Sequence, residues 1–216
     1  MDILSLGILA AGLQILGYLA YGFKVLRRDI LPNAASWMMF AYGTSLLVVL
    51  ELDRGASFAL LALPLSCALA SILIARYAMR KTRRAWWPEH WFERLSFFFD
   101  VVLTVAYLAT WVFIVNDLIS PETKERAELF ILICWTVGVF TAFFPLLRQV
   151  FRHPASEHSL PWFIWSLAYG CLLFVTVMEE GIITELVLYP LTNLVVHGFI
   201  AFHTAYWRYM RRLGLL

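Results

Sequence analysis

The chain has 216 residues, of which 62% are hydrophobic and only 15% are charged, and its formal net charge is +2. A soluble domain carries about 25% charged and about 45–50% apolar residues, because polar side chains keep its surface in water. The composition therefore excludes a soluble enzyme, a disordered tail and a nucleic-acid-binding domain. It predicts an integral membrane protein.

Seven apolar stretches are long enough to cross a membrane as helices, for which about 20 residues are needed. In chain order, spans 1 to 7 are approximately Ile3–Phe23, Ser36–Leu52, Ala56–Tyr77, Leu95–Val115, Ala127–Leu147, Leu160–Met178 and Leu186–Trp207. The stretches are continuous rather than alternating, which disfavours a β-barrel. We therefore predict an all-α integral membrane protein with seven transmembrane helices.

The basic residues concentrate on one side of these spans. Only Arg54, Lys124 and Arg126 fall between spans 2 and 3 or between spans 4 and 5, and the other 14 of the 17 lie in or beside the loops after spans 1, 3, 5 and 7. Lys and Arg are enriched in cytoplasmic loops. The pattern predicts an extracytoplasmic N-terminus and a cytoplasmic C-terminus.

The segment after span 1 aligns with the segment after span 5, and span 3 aligns with span 7. The aligned pairs are Val25 with Val150, Arg27 with Arg152, Trp37 with Trp162 and, after one inserted residue, Pro64 with Pro190 and Cys67 with Asn193. Two three-helix units joined by one helix have the same orientation in the membrane, and parallel repeats occur in transporters. We predict a first repeat at 1–79, an inner interfacial linker with linker helix at 80–118, and a second repeat at 119–216.

Pro64 and Pro190 lie inside the third span of each predicted repeat. A proline within a transmembrane helix kinks it and frees a backbone carbonyl, which is tolerated next to protein or a water-filled cavity. A functional hinge and a static packing kink are both open interpretations of these two prolines.

The second repeat carries a proline, a basic loop with serine and glutamate, and then a proline followed by an aromatic residue. These residues are Pro145, Arg152, Ser156, Glu157, Pro161 and Trp162, and the last span adds Pro190, Asn193 and Gly198. This pattern and the 3+1+3 arrangement resemble the PQ-loop superfamily of seven-helix membrane transporters. That superfamily includes the SWEET sugar transporters and lysosomal cystine and amino-acid exporters.

The resemblance implies roles for several residues. It implies that Pro145 and Pro161 are hinges of an inner gate and that Asn193 contacts the substrate. The predicted orientation of the termini also matches the family. Three positions of the first repeat differ from their aligned partners in the second: Ala20, Ser36 and Cys67.

Polar side chains inside membrane spans are costly and are functional candidates. Asn193 and His197 are four residues apart and share one helical face, where they could bind a substrate or relay a proton. An interhelical hydrogen bond is the alternative role. Asp100 lies within span 4 and is either a proton-coupling carboxylate or the partner of Arg94 or another inner-loop cation.

Aromatic residues could form the flat walls of a binding cavity, and Cys67 stands where the second repeat has its asparagine. The aromatic candidates are Tyr42, Trp162, Trp165, Tyr169 and Tyr189. No cofactor or metal site is predicted, because the three cysteines lie in apolar stretches and no metal-ligand spacing is present.

These features predict a small-solute transporter that works by alternating access between the two repeats. A non-transporting receptor or regulatory membrane subunit is the alternative. An enzyme acting on lipid is disfavoured, because the histidines show no HxxxH or HExxH spacing. The expected partners are membrane lipids and a small polar or lipid-like substrate, without nucleic acid, and a homo-oligomer or a membrane partner is left open.

Overall fold

The computed structural model describes residues 2–82, 87–88, 90–181 and 185–212. These residues form α-helices, two short 3₁₀ turns and their connections. The α-helices are α1 (Ile3–Leu26), α2 (Ala34–Asp53), α3 (Phe58–Thr82), α4 (Trp91–Val115), α5 (Pro121–Ala142), α6 (Phe144–Arg152), α7 (Ser159–Glu180) and α8 (Leu188–Met210). The inner linker predicted between spans 3 and 4 lies partly outside the described residues.

Six helical segments within the described residues are long and apolar enough to cross a membrane. They are α1, α2, the Phe58–Arg80 part of α3, α4, the continuous segment Pro121–Arg152 that contains α5 and α6, and α7. The prediction of an all-helical membrane protein is therefore confirmed for six spans. The seventh predicted span corresponds to α8, which is 23 residues long but carries Asn193, His197 and His203 among its apolar residues.

Side-chain caps determine where three of the long helices begin. The Asp2 carboxylate accepts a hydrogen bond from the Ser5 N–H at 2.7 Å, and the Asn33 side chain accepts one from the Ser36 N–H at 3.1 Å. Ser120 caps α5 in the same way. The first N–H groups of a helix lack partners within it, so an oxygen at this position stabilises the helix start.

We call α1, α2 and α3 the first set and the α5–α6 segment, α7 and α8 the second set; α4 packs mainly against α5. In the first set, α3 packs against both α1 and α2, and in the second set α8 packs against both α7 and the α5–α6 segment. Between the sets, α1 packs against α7 and α2 packs against α5. The first helix of each set thus contacts the second helix of the other.

Small residues allow the closest approaches of α1 to its neighbours. A Cβ added at Gly7 would lie 2.5 Å from the Ala59 Cα of α3, and one added at Gly17 would collide with the Trp165 indole of α7. Glycine at these positions lets two helices approach more closely than larger residues permit. These contacts bring one face of α1 close to α3 and α7.

The protein is apolar outside and contains polar groups inside. Large apolar side chains are exposed along α1 and α4, including Leu19 and Val102, whereas Gln14, Asp100 and Asn193 are almost completely buried. In a membrane, apolar side chains face lipid and polar ones face the protein interior or a cavity. The surface and the core therefore agree with the membrane environment that the composition predicts.

Candidate functional site

A cavity lies at the centre of the helical bundle, between the two sets of three helices. Its described lining residues are Tyr18, Trp37, Met39, Phe40, Gly43, Thr44, Cys67, Ser71, Asp100, Trp135, Val139, Ala142, Phe143, Trp162, Trp165, Tyr169, Tyr189, Asn193 and His197. About 30 Å³ is left for the centres of water molecules, which is room for about two waters. The cavity is thus contracted in this conformation.

Most of the candidate binding residues from the sequence line this cavity. They are Cys67, Asp100, Trp162, Trp165, Tyr169, Tyr189, Asn193 and His197. Tyr42 is not among the lining residues, because its hydroxyl hydrogen-bonds with Thr104 at 2.6 Å and its ring packs against Phe97 of α4. The structure therefore brings together residues from α3, α4, α7 and α8 and leaves Tyr42 outside.

A chain of hydroxyl and thiol groups crosses the cavity from α1 to α8. The Tyr18 hydroxyl lies 3.0 Å from Cys67 Sγ, and the Tyr169 hydroxyl donates to the same sulfur at 3.9 Å. Tyr169 and Tyr189 hydroxyls are 3.3 Å apart. Cys67 therefore connects the third helix of the first set with aromatic residues of the second set.

Asn193 and His197 form a local hydrogen-bond pair on α8. The Asn193 amide nitrogen donates to the Tyr189 carbonyl at 3.0 Å, and His197 Nδ1 lies 2.7 Å from the Asn193 carbonyl. A carbonyl can only accept, so Nδ1 carries the hydrogen and Nε2 of the neutral ring is an acceptor. Both side chains are nearly buried and border the cavity.

Aromatic rings surround the His197 imidazole on several sides. The ring centroids nearest to it are those of Tyr169 at 4.9 Å, Phe143 at 5.2 Å, Trp162 at 5.2 Å and Trp165 at 5.9 Å. This part of the cavity combines one imidazole with the faces and edges of large rings.

Asp100 contributes a carboxylate to the α4 side of the cavity. It is 2% exposed, and its Oδ1 has no hydrogen-bond partner among the described residues. The Oδ1 atom occupies the space beside Gly138, where an added Cβ would lie 2.7 Å away. The proposed ion pair with Arg94 is not seen in the part of the chain that the structure describes, where Arg94 Nε donates to the Pro88 carbonyl.

The four candidate hinge prolines occupy different helical positions. Pro64 lies inside α3, while Pro161 is the third residue of α7. Pro190 is the third residue of α8 and therefore lies in its first turn. Proline is tolerated in a first turn because the N–H that it lacks has no acceptor there.

Pro145 lies at the break between α5 and α6. The backbone N–H of Leu146 donates to Ser36 Oγ of α2 at 3.0 Å, so a side chain from the other set partners the helix at this break. Ser36 is the residue that the sequence alignment pairs with Pro161. A break of this kind is consistent with a flexible point in the helix. The hydrogen bond between Leu146 and Ser36 at the break joins the two sets.

A buried carboxyl ties the inner ends of the two sets. Glu157, in the loop before α7, accepts hydrogen bonds from the Tyr21 hydroxyl at 3.1 Å and from Trp162 Nε1 at 3.0 Å. The Tyr21 hydroxyl in turn accepts from Trp37 Nε1 at 3.1 Å. Burial raises the pKa of the Glu157 carboxyl to about 8.

A second group of hydrogen bonds joins the loops at the same end of the molecule. The Asn33 amide nitrogen donates to Gln149 Oε1 at 3.0 Å, and Gln149 Nε2 donates to the Leu31 carbonyl at 2.8 Å. The Leu31 N–H donates to the Ser156 carbonyl at 3.1 Å. Together these contacts join the loop after α1 to α6 and to the loop before α7.

Several of these residues are not predicted from the sequence. Trp135 lines the cavity without a sequence signal that separates it from other aromatic residues of the spans, whereas Tyr18 and Phe143 are paired by the repeat alignment and both line the cavity. Trp37 has a signal, because the repeat alignment pairs it with Trp162 and both line the cavity. The Tyr21–Glu157 contact has no comparable signal, since its residues are 136 positions apart.

Within the described residues, these features define an all-helical protein with six helical segments long and apolar enough to cross a membrane, built around an aromatic cavity. No protein-family model, curated protein or solved structure matches the chain.

Proposed function

We propose that the protein is a small-solute membrane transporter that works by alternating access. In this proposal α8 is the seventh span, the N-terminus is extracytoplasmic and the C-terminus is cytoplasmic. The helices α1–α3 and the helices from α5 to α8 are two parallel repeats, and α4 links them. The substrate site is the central cavity.

The observation that carries the proposal is the reciprocal packing of the two sets. α1 contacts α7 and α2 contacts α5, while α3 and α8 each pack against the other two members of their own set. A two-fold relation along the membrane normal produces such reciprocal contacts, and transporters with parallel repeats bind substrate at the repeat interface. The arrangement also fits the resemblance to the PQ-loop superfamily, which is part of this proposal.

The position of the cavity gives further support. It lies between the two sets and receives Cys67 from α3 and Asn193 from α8, the two residues that the repeat alignment pairs. Hydrogen bonds through Glu157 and Gln149 close the predicted inner side. Alternating access requires two rigid units whose mutual contacts can break and form again.

Accessibility of Cys67 tests the proposal without knowledge of the substrate. The described chain has three free cysteines, so Cys134→Ser with Cys171→Ser leaves Cys67 as the reactive thiol. A small, membrane-impermeant methanethiosulfonate reagent is applied to either side of sealed vesicles of known protein orientation. We expect Cys67 to react from both sides, because the cavity opens alternately.

The matched control retains Cys134 alone, which lies on α5 and does not line the cavity. Its reaction measures background reagent entry through the lipid. Reaction of Cys67 from one side only would overturn transport and favour the non-transporting receptor. Reaction from neither side, in protein that still folds, would also overturn transport and favour a regulatory membrane subunit.

A further inference from the structure

The cavity contains one carboxyl group and no described basic residue. Asp100 supplies the carboxyl group, and no Lys or Arg is among the described lining residues. Its Oδ1 atom is buried and has no partner among the described residues, and Asp100 forms none of the ion pairs seen there. A carboxylate that is buried loses its water, and a hydrogen-bond donor or a cation stabilises it in place of that water. The cavity therefore has a place for one donor or positive charge beside Asp100.

The His197 side of the cavity also offers an acceptor. Nδ1 uses its hydrogen for the Asn193 carbonyl, which leaves Nε2 of the neutral ring with a lone pair. Nε2 forms none of the hydrogen bonds found among the described residues. A ligand that donates hydrogen bonds thus suits both Asp100 and His197.

Aromatic rings supply most of the remaining wall. Nine of the 19 described lining residues are Phe, Tyr or Trp. The ring pairs are close, with centroid distances of 5.0 Å between Trp162 and Trp165 and 4.6 Å between Phe40 and Phe143. Aromatic faces attract cations, most strongly where water is excluded, and they also bind apolar groups.

We propose that the cavity binds a small organic ammonium ion, namely a protonated primary amine. Its ammonium group donates to the Asp100 carboxylate, and its carbon atoms lie against the aromatic wall. This identification of the substrate class rests on the proposed transport function. A neutral polyol would leave the Asp100 charge uncompensated, and an anion would be repelled by it.

The small volume of the cavity limits the size of the amine that can bind in this conformation. Its room for about two waters accommodates only the smallest amines, so a larger one requires the two sets to separate. Binding then stabilises the wider conformation, because a ligand shifts an equilibrium toward the state that it binds better.

The test uses three probes of similar size and different charge: ethanolamine, propan-1-ol and glycolate. Trp37, Trp135, Trp162 and Trp165 line the cavity, so binding to purified protein is followed by tryptophan fluorescence near neutral pH. We expect ethanolamine to bind about tenfold or more tightly than either other probe, the difference typical of a charge-assisted hydrogen bond. Equal binding of ethanolamine and propan-1-ol, or tighter binding of glycolate, overturns the proposal.

Asp100→Asn tests the carboxylate directly. We expect it to weaken ethanolamine binding about tenfold or more while propan-1-ol binding is unchanged. Asp117→Asn is the matched control, because Asp117 is exposed in the loop after α4. An equal loss of both ligands in Asp100→Asn would mean that Asp100 only maintains the structure, and it would overturn the assignment.

Wild-type protein provides a second measurement that does not depend on folding of the variant. Ethanolamine should slow reaction of Cys67 with the methanethiosulfonate reagent, and propan-1-ol at the same concentration should not. Absence of protection contradicts an amine site in this cavity.

The failures of the two proposals are distinguishable. If Cys67 reacts from both sides but ethanolamine neither binds selectively nor protects, the amine proposal fails and transport stands. If ethanolamine binds through Asp100 but Cys67 reacts from one side only, transport fails and the amine site stands as that of a receptor.

Discussion

The two sets of three helices differ in how closely their helices approach. In the first set, a Cβ at Gly7 of α1 would lie 2.5 Å from the Ala59 Cα of α3. In the second set, a Cβ at Gly170 of α7 would meet only Leu194 of α8, at 3.9 Å, which is an ordinary contact. At Gly7 the α1–α3 contact therefore has no space for a methyl group, whereas at Gly170 the α7–α8 contact has room for one.

The sets also differ in continuity. α1 is one uninterrupted helix of 24 residues, whereas its counterpart in the second set is broken into α5 and α6 before Pro145. The N–H of Leu146 beyond the break bonds to Ser36 of the first set. The second set thus differs from the first in having a broken first helix, and a hydrogen bond from the first set partners the helix at that break.

Substitution of the two glycines tests this difference and has the largest expected effect. We expect Gly7→Ala to destabilise the protein by about 2–3 kcal/mol, because the new methyl group meets backbone that cannot rotate away. Gly170→Ala should be neutral or stabilising by about 0.5–1 kcal/mol, because alanine favours a helix over glycine. The measurement is unfolding of the purified protein in detergent by heat or denaturant.

Gly12→Ala is the control within α1, because nothing lies within 4 Å of its added Cβ. Equal destabilisation by Gly7→Ala and Gly170→Ala would contradict the packing difference between the sets.

The pH dependence of the inner closure is the second prediction. The pKa of Glu157 is raised by burial from 4.5 to about 8, so its neutral form is favoured in the fold. Its contribution to stability is complete below the ordinary pKa and is lost as pH rises through about 8. The slope is at most about 1.4 kcal/mol per pH unit. We expect inner-side reaction of Cys67 to accelerate over that range, after correction for the reagent's own pH dependence.

Glu157→Gln keeps one acceptor oxygen and cannot ionise, so it should remove this pH dependence. Glu125→Gln, at an exposed position, should leave it unchanged. A pH profile of Cys67 reactivity that is the same in wild type and Glu157→Gln would show that ionisation of this carboxyl does not control the closure.

Ser36→Ala tests the tie between the sets and has the smallest expected effect. It leaves the buried Leu146 N–H without its acceptor, for which we expect a loss of about 1 kcal/mol in unfolding free energy. Ser45→Ala is the matched control, because the Ser45 hydroxyl donates only within α2, to the Ala41 carbonyl. Faster inner-side reaction of Cys67 in Ser36→Ala alone would support a movable α6; unchanged stability and rate would count against it.

Part of the site is predictable from the sequence, because polar residues within apolar spans are placed preferentially in the protein interior, away from lipid. Asn193, His197 and Asp100 follow from that rule, and all three border the cavity. Tyr42 shows the limit of this rule. Its hydroxyl hydrogen-bonds with Thr104 on α4, and the residue does not line the cavity. An aromatic residue with one polar atom is satisfied at many positions, so its location depends on neighbours that the sequence does not identify.

The inner closure is less predictable. Tyr21, Glu157 and Gln149 resemble ordinary residues of a helix end and its loops. The Tyr21–Glu157 and Asn33–Gln149 hydrogen bonds each join residues more than 100 positions apart. The break at Pro145 is predictable as a proline effect. The hydrogen bond from the Leu146 N–H to Ser36 is not, because it depends on α2 lying beside the break.

The sequence by itself determined the helical class, the approximate positions of the long apolar helices and a short set of buried polar residues. These properties follow from hydropathy, which records how strongly each segment avoids water. Only the tertiary structure decided that α1 meets α7, that α2 meets α5, and that Asp100 shares a cavity with His197. Lipid and protein interior are similarly apolar, so hydropathy does not distinguish a lipid-facing side from a protein-facing one; close packing and hydrogen bonds between helices do.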